Sequence, residues 1–247
     1  DAVQLLEKSE AFTPKDAKQL KTWFSKLLTW ILNSPQGQEE ARQANNHSTA
    51  HDAQVIAFAM YAGNMKVARE VINAIPRKRL FTQIEPDGKQ PHELRRTLAF
   101  GYSQFNLSHF IDIFMMARKI GISIDNATSE DGRSFYKAMD FLVPYVGKDV
   151  KAWPYQQISE WKYKQQEFCK DLYRTFLLNP ERKDYLKLYK THRIIDWKDR
   201  FNLLWMEADD VDNAYAFACG QLQFAMQCAA KARKEADNQC KHRVIPR

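Results

Sequence analysis

The sequence predicts an all-α protein assembled from antiparallel helical hairpins. Apolar residues recur at three- and four-residue steps along most of the chain, the spacing of one helix face, and the two-residue alternation of strands is scarce. Glycine supplies only 8 of 247 residues, about half the usual share, and neither a GxGxxG nor a GxxxxGK(S/T) phosphate loop occurs. No period of about 34 or 40 residues repeats, which argues against a regular solenoid. Hairpins of unequal length must then curl around a common centre to bury both faces. The outcome is an α/α toroid, incomplete or complete, or else an irregular bundle.

The elements read in order as follows. In "TPKDAKQLKTWFSKLLTWILNS", Thr13 can cap, Pro14 suits the first helical position and Asp16 suits the positive helix end. Ala17, Leu20, Phe24, Leu27, Leu28 and Ile31 form the apolar face, and "NSPQG" is expected to stop the helix. "DAQVIAFAMYAGN" is a second helix ended by Gly63, and "MKVAREVINAIP" a third ended by Pro76. "TQIEPDGKQP", residues 82–91, is a polar connection rich in turn formers. Further helices are expected over 92–104, 106–120, 131–146, 156–178, 194–206 and 208–236, joined by short polar links that make neighbours antiparallel.

Composition bounds the partners. A hydrophobic share of 45% with 27% charged residues is that of a globular protein, and no run of about 18 apolar residues is present to span a membrane. "DAVQLLEKSEAF" lacks the pattern of a signal peptide, so a processed terminus or a cut within a longer protein is expected. The net charge of +7 favours polyanions. Nucleic acid, acidic polysaccharide and membrane surface all fit it, and the small clusters "PRKR", "LRRT" and "KHRVIPR" do not form a nucleic-acid arm. Cys169, Cys219, Cys228 and Cys240 have no zinc-ligand spacing and read as buried thiols.

The chemistry-bearing stretch is "NNHSTAHD", Asn45 to Asp52, directly before an apolar helix. A helix N-cap would use one or two such residues. It leaves the doubled Asn and the His pair unexplained. About fifty residues later, "ELRRTLAFGYSQFN" offers two arginines and then a tyrosine. Asn, His, Arg and Tyr without a carboxylate pair do not suit glycoside hydrolysis. They suit removal of a proton beside a carboxylate, which needs donors to drain charge from that carboxylate, a base, and an acid for the leaving oxygen.

"ARQANNHSTAHDAQ", "QIEPDGKQPHELRRTLAFGYSQFNL", "DGRSFYKAMDFLVPYV" and "WPYQQI" occur in this order. Together they resemble the alginate lyase superfamily of polysaccharide lyases, which includes alginate and glucuronan lyases, from about residue 1 to about residue 160. The resemblance implies the α/α toroid and β-elimination on a uronic acid polymer, leaving 4,5-unsaturated ends. It implies no metal or organic cofactor, an acidic polysaccharide rather than nucleic acid as partner, and a periplasmic or secreted location, because long polyuronates lie outside the cytoplasm. By motif position, Asn46 and Arg96 neutralise the carboxylate, His47 shares that task or takes the proton, and Tyr102 protonates the leaving oxygen. Asn45, His51, His92, Arg95, Trp153 and Tyr155 follow as substrate-binding candidates. The rival reading is a non-catalytic helical module that binds acidic glycans.

Three departures from the family pattern stand out. Family members commonly read NNHGTWYD, whereas Ala50 and His51 stand where Trp and Tyr are usual. The upstream KHDY-type motif and Trp-rich stretch are missing, so a fragment is expected. Arg95 competes with Arg96: seven helical steps total about 700°, which puts Arg95 on the face of Tyr102, while motif position selects Arg96, the residue preferred here. The expected division is a lyase domain over 1–205, lacking an N-terminal part of the family, and a C-terminal helix and basic tail over 206–247. "NAYAFACGQLQFAMQCAAKARKEADNQCKHRVIPR" faintly resembles the opening of unsaturated glucuronyl hydrolases, beside the plainer reading as a helix. "EADDVD", residues 207–212, reads as acidic residues opening a helix, and "RKR", 77–79, as a solvated link. His109, His192 and His242 are read as structural.

Overall fold

A computed structural model of the chain describes residues 9–194 together with Val3, Leu6, Glu7, Asp199 and Phe201. The chain divides into two units, Asp1–Arg193 and Ile194–Arg247. Most of the expected helix at 194–206 and all of the expected helix at 208–236, the acidic run at 207–212, Cys219, Cys228, Cys240, His242 and the basic tail lie outside the described residues.

The first unit is all-α. Among the described residues no strand forms, and only two isolated bridges occur, Leu98 with Gln157 and Thr128 with Ser134. Helix α1 (Pro14–Asn33) starts at the expected Thr13 cap, which Asp16 makes reciprocal by accepting from the Thr13 backbone N–H. It does not end in a loop. Ser34 closes α1 and at once caps α2 (Pro35–Arg42), with Pro35 at the first position, so "NSPQG" starts a helix as well as stopping one. Helix α3 (Asn46–Ala62) ends at Gly63, whose φ of 86° is the left-handed C-cap conformation. Helix α4 (Met65–Ile75) follows and buries Ala68, Ile72 and Ile75 on one face.

Pro76 does not end the helical path. It opens a π-helical turn, Pro76–Leu80. Within it Arg77 and Lys78 are exposed, but Arg79 is buried. The expected solvated link is therefore only two-thirds right, because Arg79 has a carboxylate partner inside.

Two short expectations merge and one splits. A single turn, α5 (Pro91–Leu94), is followed by a break and then by one long helix, α6 (Ala99–Lys119), where two helices meeting near residue 105 were expected. Asn106 does not interrupt α6, since its amide is buried and donates to Gln83 Oε1 at 2.9 Å and Gln90 Oε1 at 2.8 Å. Helix α7 (Phe135–Leu142), capped by Ser134, passes into a 3₁₀ turn at Val143–Tyr145. Helix α8 (Trp161–Leu178) begins later than expected, and α9 (Lys183–His192) was not foreseen.

Helices α3 and α6 are the inner pair. They pack on each other, with α1, α2 and α4 against α3, and α8 against α6. The amphipathic α4 has one apolar face, whereas α3 and α6 bury residues nearly all round, as helices surrounded by others must. One apolar cluster joins Leu28 and Ile31 to Val55, Ala59 and Ala68. Another is aromatic, with Phe100 against Trp153, Trp161 and Phe168 at centroid distances of 5.4, 5.0 and 5.8 Å. Each fully buried Phe contributes about 1.5–3 kcal/mol relative to exposure.

Candidate active site

The start of α3 carries the site. Asn45 is its N-cap, accepting from the His47 N–H at 3.3 Å. The remaining polar residues are not spare caps. Ser48 and Thr49 are fully buried and join a network in which Thr49 donates to Gln83 Oε1 at 3.0 Å, and Gln83 Nε2 donates to Ser48 Oγ at 3.1 Å. Asn106 and Gln90 continue it to the Ser103 carbonyl on α6. Buried hydrogen-bond networks hold their elements in one register, although Asn106 Oδ1 in this one has no partner among the described residues. This one locks α3 to α6.

Asn46 is buried and held twice by Glu93. Its backbone N–H donates to Oε1 and its Nδ2 to Oε2, both at 2.7 Å. Burial pushes the Glu93 carboxyl above the ordinary glutamate range, opposed by the two Asn46 hydrogen bonds and the charge of Arg96. Glu93 thereby fixes the Asn46 amide with its nitrogen toward the carboxylate, and one Nδ2 proton is left for a ligand.

Arg96 lies outside any helix, in the Arg95–Leu98 break. The helical-wheel argument for Arg95 therefore does not apply. Arg96 places its guanidinium 3.9 Å from the centroid of the Tyr102 ring, whereas Arg95 is exposed and donates to His92 Nδ1 at 2.9 Å and to the Pro91 carbonyl at 3.2 Å. Tyr102 sits in the first turn of α6. That end has no side-chain cap of its own. The "WPYQQI" segment supplies one, because Gln157 Oε1 accepts from the N–H groups of Phe100 and Gly101 at 3.1 and 3.3 Å, and the Gln156 carbonyl accepts from Ala99 at 3.0 Å.

His47 is half exposed, with Nδ1 2.8 Å from Glu40 Oε2 on α2. With the Nδ1 proton donated to Glu40, the Nε2 lone pair is free to accept a proton. His51 is buried, one turn on, with Nδ1 3.1 Å from Asp52 Oδ1. Arg79 closes on Asp52 through Nε at 2.7 Å and Nη2 at 3.2 Å, and also holds the Ala41 carbonyl at 2.8 Å. Burial opposes the Asp52 charge, but the hydrogen bonds from His51 and Arg79 and the charge of Arg79 outweigh it and keep its pKa below the ordinary range.

A cleft of about 380 Å³ opens beside these groups, with Glu40, Asn46, His47 and His51 among its lining. The structure thus links Asn46, Glu93, Arg96 and Tyr102 in one contiguous set, with His47 next to Asn46. Glu40 and Glu93 were not foreseen. Glu93 stood inside the quoted "PHELRR" stretch, where its spacing to Arg96 was a usable signal; Glu40 left none.

One candidate is corrected. Trp153 is 5% exposed, and its ring is packed by Phe100, Tyr145, Tyr155 and Trp161. It is core, because no ring face is left for a sugar. Arg95 and His92 pair with each other rather than with the set above. Tyr155 is half buried at the edge of the Trp153 cluster. Among the described residues no group of three or more His, Cys, Asp or Glu could hold a metal ion, and no helix is long and apolar enough to cross a membrane.

The alginate lyase family model matches residues 1–153. A crystal structure of an alginate lyase from Bacteroides ovatus is 47% identical, with a TM-score of 0.79, over 82% of this chain and 53% of that one. The chain therefore spans about half the length of that enzyme. No curated protein matches. The chain belongs to the alginate lyase family.

Proposed function

We propose that the chain acts as a polysaccharide lyase on a uronic acid polymer of the alginate or glucuronan type, by β-elimination. The observation that supports this most is the linked set Asn46–Glu93–Arg96–Tyr102 beside the Glu40-paired His47. The hard step is removal of the C5 proton, which is acidified only when the adjacent carboxylate is neutralised. Asn46 and Arg96 supply the neutral and cationic donors. His47 Nε2 takes the C5 proton when it lies on the face opposite the leaving oxygen. The electron pair forms the C4–C5 double bond, the bond from C4 to the glycosidic oxygen breaks, and Tyr102 gives its proton to that oxygen. Where proton and oxygen share a face, Tyr102 serves both steps.

The working place of such an enzyme is the periplasm or the exterior, where the polymer is found. The assay is the ultraviolet absorbance of the new conjugated double bond with alginate and glucuronan. A rise is expected for the wild type, with near-complete loss in His47→Ala and Tyr102→Phe. Wild-type rates in both variants would remove this mechanism. Binding of the polymer without any unsaturated product would favour the glycan-binding module instead.

A further inference from the structure

The cleft extends beyond the groups just assigned, and its far walls have no role in the elimination. Trp30 at the end of α1 and Phe105 on α6 line it, and they are 53% and 42% exposed. Large aromatic rings left this open in a concave site mark a surface that gains from being covered. Gln36 and Gln54 line it as well, and no side-chain hydrogen bond of either amide occurs among the described residues. Ala50 contributes only a methyl group to the lining, which keeps the space open. Among the described residues no Lys or Arg lines the cleft, and the ionisable groups that do are Glu40, His47 and His51. In a chain of net charge +7, that is a locally uncharged or acidic wall.

We infer that the cleft is a sugar subsite contiguous with the reacting centre. It takes one pyranose ring by its C–H face on Trp30 and Phe105 and by its hydroxyls on Gln36 and Gln54, with the ring's carboxylate turned to solvent. Apolar C–H groups on an aromatic face and hydroxyls on neutral amides match the lining, whereas a carboxylate would face Glu40 without a cation. The volume of about 380 Å³ lies near the lower end for ligand pockets, which suits the reacting ring at Asn46 and His47 and one neighbour on Trp30 and Phe105. The inference rests on the lyase reading and specifies how that enzyme would hold a neighbouring ring.

Titration calorimetry of the full chain with uronate oligosaccharides of increasing length tests it. Trp30 and Phe105 are exposed, so their replacement by Ala opens no core. One added ring should tighten binding by the wild type, and Trp30→Ala, Phe105→Ala and Ala50→Trp should each lose that gain, roughly tenfold in Kd. An oligosaccharide whose ring at this subsite is carboxyl-reduced should bind as tightly as the parent. Three variants indistinguishable from a wild type that binds and cleaves the same oligosaccharides would overturn the subsite and leave the lyase reading intact. A tenfold loss on carboxyl reduction would overturn the solvent-facing carboxylate. A wild type that neither binds nor cleaves any uronate oligosaccharide would remove the lyase reading and the subsite together.

Discussion

Arg96 carries its guanidinium over the ring of Tyr102, 3.9 Å from the centroid, from a non-helical break into the first turn of α6. The contact positions two groups at once, since the planar cation is held by the ring and the ring by the cation. Lysine has the charge but neither the plane nor the fork. Arg96→Lys should lower kcat about 10- to 100-fold with the fold unchanged, measured by initial rates of unsaturated product and by circular dichroism. A variant with wild-type kcat would show that charge alone suffices.

Glu40 touches His47 and not the reacting sugar in this scheme, so it is a positioning residue. Glu40→Gln keeps an acceptor for the Nδ1 proton, and Glu40→Ala removes it. kcat should fall in the order wild type, Gln, Ala, with about tenfold for the last, while KM changes little. A fall in KM-dependent rate alone, with kcat intact, would assign Glu40 to substrate binding.

Asp171 on α8 is buried and accepts from Gln104 Nε2 at 2.6 Å, with Arg174 Nη1 at 3.3 Å. Burial pushes its pKa from the ordinary 3.8 up to about 6, with Arg174 and Gln104 opposing the rise. The folded state thus holds a proton that the unfolded state releases between pH 3.8 and about 6. Stability from this group is full below the lower value and is lost as pH rises through the upper one. Thermal melts should show that loss in the wild type and a flatter profile in Asp171→Asn. Equal slopes for both proteins would contradict the burial argument.

Gly37 lies inside α2, where Ala would gain about 1 kcal/mol of helix propensity. A Cβ there would stand 1.9 Å from the Ile31 carbonyl oxygen of α1. Overpacking against backbone costs about 1–3 kcal/mol, so the cost should win. Gly37→Ala is expected to lower the urea midpoint and, by moving α2, to reduce kcat through Glu40. A higher midpoint would show that α2 shifts freely.

Gln157 caps a helix whose residues are more than fifty positions earlier in the chain. Gln157→Ala should cost about 1 kcal/mol and loosen the Tyr102 turn, seen as faster amide exchange at Phe100 and Gly101. Unchanged exchange at both would mean that the Gln156 carbonyl alone secures the end.

Much of the fold was legible because helix signals are local. Thr13, Asn45 and Gly63 punctuate helices through hydrogen bonds to their own neighbours, Pro14 does so through its fixed φ, and the apolar period of α4 needs no partner to be read. The motif order likewise marked Asn46, His47, Arg96 and Tyr102 as one set. What the sequence did not contain is which side chains meet across helices. Glu93 reaching Asn46 over 47 positions, Gln157 capping α6 over 57, and Trp153 enclosed by rings from three segments are products of packing. The preference for Arg96 was read from motif position, and the break that makes it geometrically coherent was decided by tertiary contacts, with Thr97 and Leu98 pairing to the 157–158 segment rather than continuing a helix. Local pattern sets where helices begin and end, and only their mutual packing chooses the partners of the polar groups that they bury.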